Sequence, residues 1–387
     1  MSFVIDASDF AFYERIKVPP PTFCPECRMI RRMEFRNERA LYRRNCKNCG
    51  KDTITVYAPR SPFVVYCNEC WYSDHWNPTT FASPYDFSLP FFVQLQSLWR
   101  RVPQPAINSI QNVNSPYVNF AVNNKDCFLV AGALENENCA YSTRILHSND
   151  CFDVYDVSKS SLCYECDAID ASYGSVFVGN SESVAEAICC YNCKGISSAI
   201  GCVNLRNKNY HIFNQPVSKE MFMEQLQKEF DRGSYKNLTN LRERFYGFSL
   251  QFPRRFASVI KSVNSDGEFI HASKNVQNSF SVRDSENLKF TALMGKVKDA
   301  MDIYADDESE LGYEVISGQT SLNYQFDVQC WYSQNIRCSV MSQSSSNLFG
   351  CIGLRNKSYC ILNKQYTKEE YEALMPQIID HMNTMPY

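Results

Sequence analysis

The chain has 387 residues, 44% of them hydrophobic, and a formal net charge of −3. That composition describes a folded protein with room for two or three domains, and it excludes a disordered chain or a uniformly basic nucleic-acid coat. The opening MSFVIDASDFAFYERIKVPPP carries acidic residues and no apolar stretch, and no apolar run reaches the ~18 residues of a membrane span. With nineteen cysteines, the expectation is free thiols in the cytoplasm or another reducing compartment, or in an assembled virion.

The charge is uneven. Residues 1–105 hold 14 Lys+Arg against 10 Asp+Glu, and the basic excess is concentrated between residues 28 and 60. Residues 24–70 hold three Cys-x-x-Cys pairs: Cys24/Cys27, Cys46/Cys49 and Cys67/Cys70. Between the second and third pairs, Thr53–Tyr57 and Phe63–Tyr66 read as the strands of a hairpin turned at Pro59–Pro62. Two knuckles at the base of a hairpin bring four sulfurs to tetrahedral geometry, so Cys46, Cys49, Cys67 and Cys70 are the expected ligands of a structural Zn²⁺ in a zinc ribbon. Cys24 and Cys27 are a second or alternative ligand pair. They pair with Cys46/Cys49, or bind metal with His75, or form a turn with no metal.

In RMIRRMEFRNERALYRRN, Arg28, Arg32, Arg36, Arg39 and Arg43 recur every three or four residues. One long helix would set them on one side, with Arg31 and Arg44 flanking, as a phosphate-tracking face for RNA, DNA or a nucleoprotein surface such as a ribosome. The bland alternative is a solvated basic face paired with Glu34 and Glu38. Trp71 and Trp76 read as packing under the metal site. Residues after Pro90 form a helix with Phe91, Phe92, Leu95, Leu98 and Trp99 on its apolar face, ended by Pro103 and Pro105; it caps or docks the next domain.

From residue 106 the pattern changes. Cys127, Cys139, Cys151 and Cys163 are twelve apart, and short β-prone pieces alternate with Asn/Asp/Ser turns. This predicts a parallel β-solenoid with stacked Cys and aromatic ladders. The step leaves one or two repeats per coil open, a two-repeat coil of roughly 24 residues having the better-filled interior. GCVNLRNKNYHIFNQPVSKEMF (201–222) matches GCIGLRNKSYCILNKQYTKEEY (350–371) at an offset of 149. Without gaps, the same offset aligns Asp153-Val-Tyr155 with Asp302-Ile-Tyr304, and Leu162-Cys-Tyr-Glu165 with Leu311-Gly-Tyr-Glu314. The solenoid is therefore duplicated, and each copy ends in a helix, 218–231 and 367–383, placed to cap the open end. The fold class is mainly β: a zinc-ribbon module (1–105), a first solenoid with its helix (106–232), a helical linker (233–262), and a second solenoid with its helix (263–387). The second copy replaces most ladder cysteines, with Ala300 for Cys151 and Gly312 for Cys163. That favours packing over a further zinc site at Cys163/Cys166 and Cys190/Cys193. The repeated Arg206/Lys208 and Arg355/Lys357 read as turns, with Asn207 and Asn356 in left-handed geometry.

The runs DFAFYERIKVPPPTFCPECRMIRRMEFRNERALYRR, YCNECWYSDHWNP and DFSLPFFVQL, with the Cys-rich repeat ending in GCVNLRNKNYHIFN, resemble an uncharacterised family from uncultured small-genome bacteria and large DNA viruses. The resemblance implies the ribbon-plus-solenoid architecture and no particular activity. The five histidines have no catalytic partner motif. The expected function is a non-enzymatic zinc protein that binds nucleic acid through its basic end and other proteins through the solenoid. The alternatives are a self-assembling structural subunit of a shell, filament or virion, and a glycan-active β-helix using Asp153 or Asp302.

Overall fold

The computed structural model describes residues 2–229 and 234–385. From Phe120 to Phe213, and again from Asn275 to Leu362, every third residue has a positive φ. A left-handed residue other than glycine costs about 1–2 kcal/mol, so such a run needs a compensating ladder. Each corner turns the chain, and four corners close one coil. Parallel pairing accordingly joins residues twelve apart, as in Thr143↔Tyr155, Ile169↔Ser181 and Glu310↔Leu322. The backbone of each coil bonds to the next, for example Phe152 N–H to Cys163 O at 2.9 Å and Asp153 N–H to Ala140 O at 3.1 Å.

One repeat is thus one coil, which decides between the one-repeat and two-repeat coils that the sequence left open. The reason is interior size. Each side of the coil turns one residue inward, so small side chains suffice. In the first solenoid one inward column reads Ser115, Cys127, Cys139, Cys151, Cys163, Ser175, Ala187 and Ala199, all buried. The thiols donate to carbonyls two residues back, as Cys139 Sγ does to Glu137 O at 3.3 Å. A second column is a polar ladder: Asn136 Nδ2 donates to Asn124 Oδ1 at 2.7 Å, and Ser160 N–H to Ser148 Oγ at 3.1 Å. The second solenoid fills its centre differently. Tyr324 is fully buried, and the residue one coil before it is Gly312, where a Cβ would lie 2.5 Å from the Tyr324 hydroxyl.

Each parallel ladder ends in a short antiparallel hairpin, Asn209–Ile212 with Gln215–Pro216 and Ser358–Ile361 with Lys364–Gln365. Seven helices stand among the described residues: α1 (Ala7–Ile16), α2 (Pro25–Met33), α3 (Asn68–Trp71), α4 (Phe91–Arg101), α5 (Lys219–Glu229), α6 (Tyr235–Ser249) and α7 (Lys368–Thr384). The expected end of the 218–231 helix, at 230–231, lies outside the described residues, as does the 232–233 boundary. The helix after each copy packs on its last coil, α5 on Asn209–Ile212 and α7 on Ser358–Ile361, and reaches over the coils before it. Phe222 of α5 and Leu241 of α6 cover Ile188, Cys189 and Ile200, which belong to successive coils. Likewise, α4 and α7 cover Ile316, Val328, Val340 and Ile352. Gly350 stands at one of the left-handed corners, and Phe91 of α4 packs onto it, 2.8 Å from where a Cβ would stand, so a side chain there would clash.

The solenoids run antiparallel, side by side. Asn108 Nδ2 reaches Gln329 Oε1 at 3.5 Å and Arg144 Nη2 donates to Ser281 Oγ at 2.9 Å, so advancing along one copy retreats along the other. The N-terminal module fills the junction.

Candidate metal centre and arginine clamp

Strands β1 (Tyr42–Asn45) and β2 (Asp52–Thr55) form an antiparallel hairpin whose turn is the first knuckle, Cys46–Gly50. Gly50 has φ +77° and its N–H donates to Cys46 O at 2.9 Å, closing the knuckle. Strand β3 (Val65–Tyr66) delivers Cys67, which precedes α3 carrying Cys70. The hairpin therefore bears the first cysteine pair at its tip and does not lie between the pairs as the sequence suggested. β3 pairs in parallel with β4 (Gln104–Pro105), the entry to the first solenoid, because the solenoid offers it an open edge.

The Cys46, Cys49, Cys67 and Cys70 sulfurs all lie within 4.8 Å of one another, with Cys49 and Cys67 at 3.8 Å. Sulfurs held at ~2.3 Å from a tetrahedral Zn²⁺ stand about 3.8 Å apart, so the donor set fits a metal ion of that kind. Burial pushes the Cys46 thiol up, but N–H groups of Cys49, Cys67 and Asn48 outweigh it and bring it down to about 6; the Cys67 N–H lies 3.2 Å from its sulfur. Among the described residues this is the group of metal-ligating side chains that converges. Cys24 and Cys27 stand apart from it. Cys24 caps the N-terminus of α2, its sulfur accepting from Cys27 N–H at 3.5 Å. His75 is exposed and outside the cluster. Trp71 is buried, and Trp76 Nε1 donates to Trp71 O at 2.9 Å, so both tryptophans pack.

The arginine stripe is not one helix. α2 ends at Met33, and Arg43 and Arg44 lie on β1. Arg28 and Arg32 are 2% and 4% exposed. Arg28 Nε donates to Asp302 Oδ2 at 3.0 Å, and Arg32 Nη1 bridges Asp302 Oδ1 at 3.1 Å and Glu314 Oε2 at 3.2 Å. Arg31 Nη2 joins Glu314 at 2.7 Å. Asp302 and Glu314 are stacked corners of adjacent coils in the second solenoid. Burial pushes the Asp302 carboxyl up, and Arg32 and Arg28 oppose it. Phe290 lies under Arg28, 5.4 Å to the ring centre. Arg36 is wedged between the solenoids, 4.1 Å over Phe120 of the first and 5.0 Å from Tyr304 of the second, donating to Ser317 and paired with Glu38. Arg43 pairs with Asp52 at 2.5 Å, and Arg44 donates to Phe63 O at 3.1 Å. Arg39 is exposed. No protein-family model matches the chain, and no curated protein matches it.

Other parts of the clamp escaped the sequence. Lys289 Nζ meets both Asp9 oxygens at 2.9 Å, fixing the first turn of α1, and Tyr13 packs edge-on against Tyr313, 5.6 Å between ring centres. Arg355 stacks 4.0 Å over Trp71 and donates to its carbonyl, joining the second solenoid to the metal module. Its counterpart Arg206 stays on its own solenoid, donating to Asn192 of the preceding coil. Asn207 and Asn356 are left-handed, as expected. The signal for Asp302, Tyr313 and Glu314 was present: they are the residues kept in register with Asp153, Tyr164 and Glu165.

Proposed function

We propose that this protein is a non-enzymatic scaffold in which a zinc-stapled N-terminal module locks two antiparallel solenoids into one rigid body that presents solenoid faces to other proteins. The observation that carries this reading is the burial of Arg28 and Arg32 against Asp302 and Glu314. Those arginines serve the chain's own architecture. Arg36 does the same between the solenoids, and each remaining stripe arginine except Arg39 has a partner within the chain. Four closed thiol ligands suit a structural ion rather than a catalytic one.

The test is titration of the metal-loaded chain with mixed RNA and DNA at several salt concentrations. Each phosphate neutralised contributes about −0.9 to the slope of log K against log salt. A scaffold with its arginines engaged gives weak binding and a slope no steeper than about −2. Tight binding with a slope steeper than about −4 would overturn the reading and return the basic end to nucleic-acid recognition.

A further inference from the structure

The duplication places a second copy of the clamp's receptor on the surface. At the 149-residue offset, Phe290, Asp302, Tyr313 and Glu314 correspond to Tyr141, Asp153, Tyr164 and Glu165. The backbone matches as well: Asp153 and Glu165 are left-handed corners at φ 56° and 47°, as Asp302 and Glu314 are at 59° and 52°. The surroundings differ. Asp302 is 0% and Tyr313 2% exposed beneath α1 and α2, whereas Tyr141 is 57% and Tyr164 40% exposed. Phe152 beside them is exposed, and so is Asp153, which has no ion pair among the described residues.

The structure also shows what this face takes. On the second solenoid it holds Arg28 and Arg32, one helical turn apart on α2. On the first solenoid Arg242 of α6 already takes the Glu165 end of the same face, 4.2 Å over Phe177 and 3.3 Å from Glu165, and leaves the Tyr141–Asp153 end open. Twice, an aromatic ring beside a left-handed carboxylate receives an arginine from a helix. Charge and ring chemistry agree: a guanidinium stacks on the ring and bonds the carboxylate at once.

We propose that the face carrying Tyr141, Phe152, Asp153 and Tyr164 docks a helix of a partner protein bearing two arginines one turn apart. This deepens the scaffold reading and rests on it. The chain's own α2 is a poor occupant from a second copy, because its arginines are already buried and their release would leave Asp302 and Glu314 unpaired.

The experiment uses the whole metal-loaded chain and a labelled peptide of residues 20–36 with Ser at positions 24 and 27, read by fluorescence anisotropy. Binding is expected, weakened about tenfold or more by Asp153→Asn in the protein, or by R28A/R32A in the peptide. Asparagine tolerates the left-handed corner, and an unchanged melting temperature certifies the variant's fold. Absence of binding up to about 1 mM, or equal binding by the Asp153→Asn protein, overturns the proposal. Sedimentation of the chain alone supplies the other arm: a monomer is expected, and a dimer dissolved by Asp153→Asn would make a second copy the occupant and overturn the partner-protein assignment. Failure of the peptide leaves the nucleic-acid titration unaffected, so the two readings fail separately.

Discussion

Arg28 and Asp302 are 274 residues apart in the chain and joined by a 3.0 Å hydrogen bond in a site that water barely reaches. Removing Arg28 leaves Asp302 with Arg32 alone, and removing Asp302 leaves Arg28 and Arg32 to share Glu314, so either loss leaves buried charge under-compensated. Arg28→Ala is expected to cost about 3–5 kcal/mol by denaturant unfolding, and Asp302→Ala a similar amount. The double variant should cost less than the sum of the two, since the remaining Arg32 and Glu314 still pair with each other. Additive losses would mean that the pair does not hold the module to the second solenoid.

The metal centre yields a second expectation. Cys46→Ser or Cys67→Ser should abolish metal retention, measured by elemental analysis of the purified chain. Cys24→Ser and Cys27→Ser should leave metal content unchanged, because Cys24 acts as a helix cap. Chelation should also loosen β3 from β4, so limited proteolysis should cut first between residues 42 and 70. Loss of metal from the Cys24→Ser variant would restore the alternative pairing.

The thiol spacing, the twelve-residue step and the 149-residue offset were all readable because each is a local or periodic signal. The fate of the arginines was not, because periodicity reports which residues share a helix face and never what that face meets. Glu34 and Phe35 carry no helix-stopping signature, yet the chain leaves α2 there so that Arg36 can enter the cleft between Phe120 and Tyr304. That competition is tertiary. The coil size was legible in a feature easy to overlook: among the described residues, no valine or isoleucine occupies a positive-φ corner, and Thr320 is the one β-branched residue there.

That exclusion is testable at Ala168, a corner with φ 50°. Glycine has no Cβ to clash with the carbonyl, whereas branching at Cβ makes the clash worse. Ala168→Gly should raise stability by up to about 1 kcal/mol, and Ala168→Val should lower it by about 1–2 kcal/mol or more. Thermal unfolding of the two variants beside the parent decides the matter. Equal melting temperatures would mean that the corner is not held in the left-handed region.

Asp306 is buried inside the second solenoid. It accepts hydrogen bonds from the Tyr324 hydroxyl and from Ser309 Oγ at 2.7 Å. Gly318, one coil on, leaves it room: a Cβ there would lie 2.7 Å from its Oδ2. Burial drives its carboxyl up to about 7, while Tyr324, Ser309 and the Asp307 N–H pull the other way. An acid raised in the folded state binds its proton more tightly there than in the unfolded chain, where its pKa is about 3.9. The stability this group lends is therefore complete below about pH 4 and is lost as pH climbs to about 7, a span of roughly 4 kcal/mol. Buried Asp327 is raised by the same cause and acts in the same direction. Asp306→Asn keeps an oxygen for Tyr324 and removes the ionisation. Its unfolding free energy should vary less between about pH 4 and 7 than the parent's and should exceed the parent's near pH 8. An unchanged pH slope in the variant would show that Asp306 keeps a constant protonation state across that range.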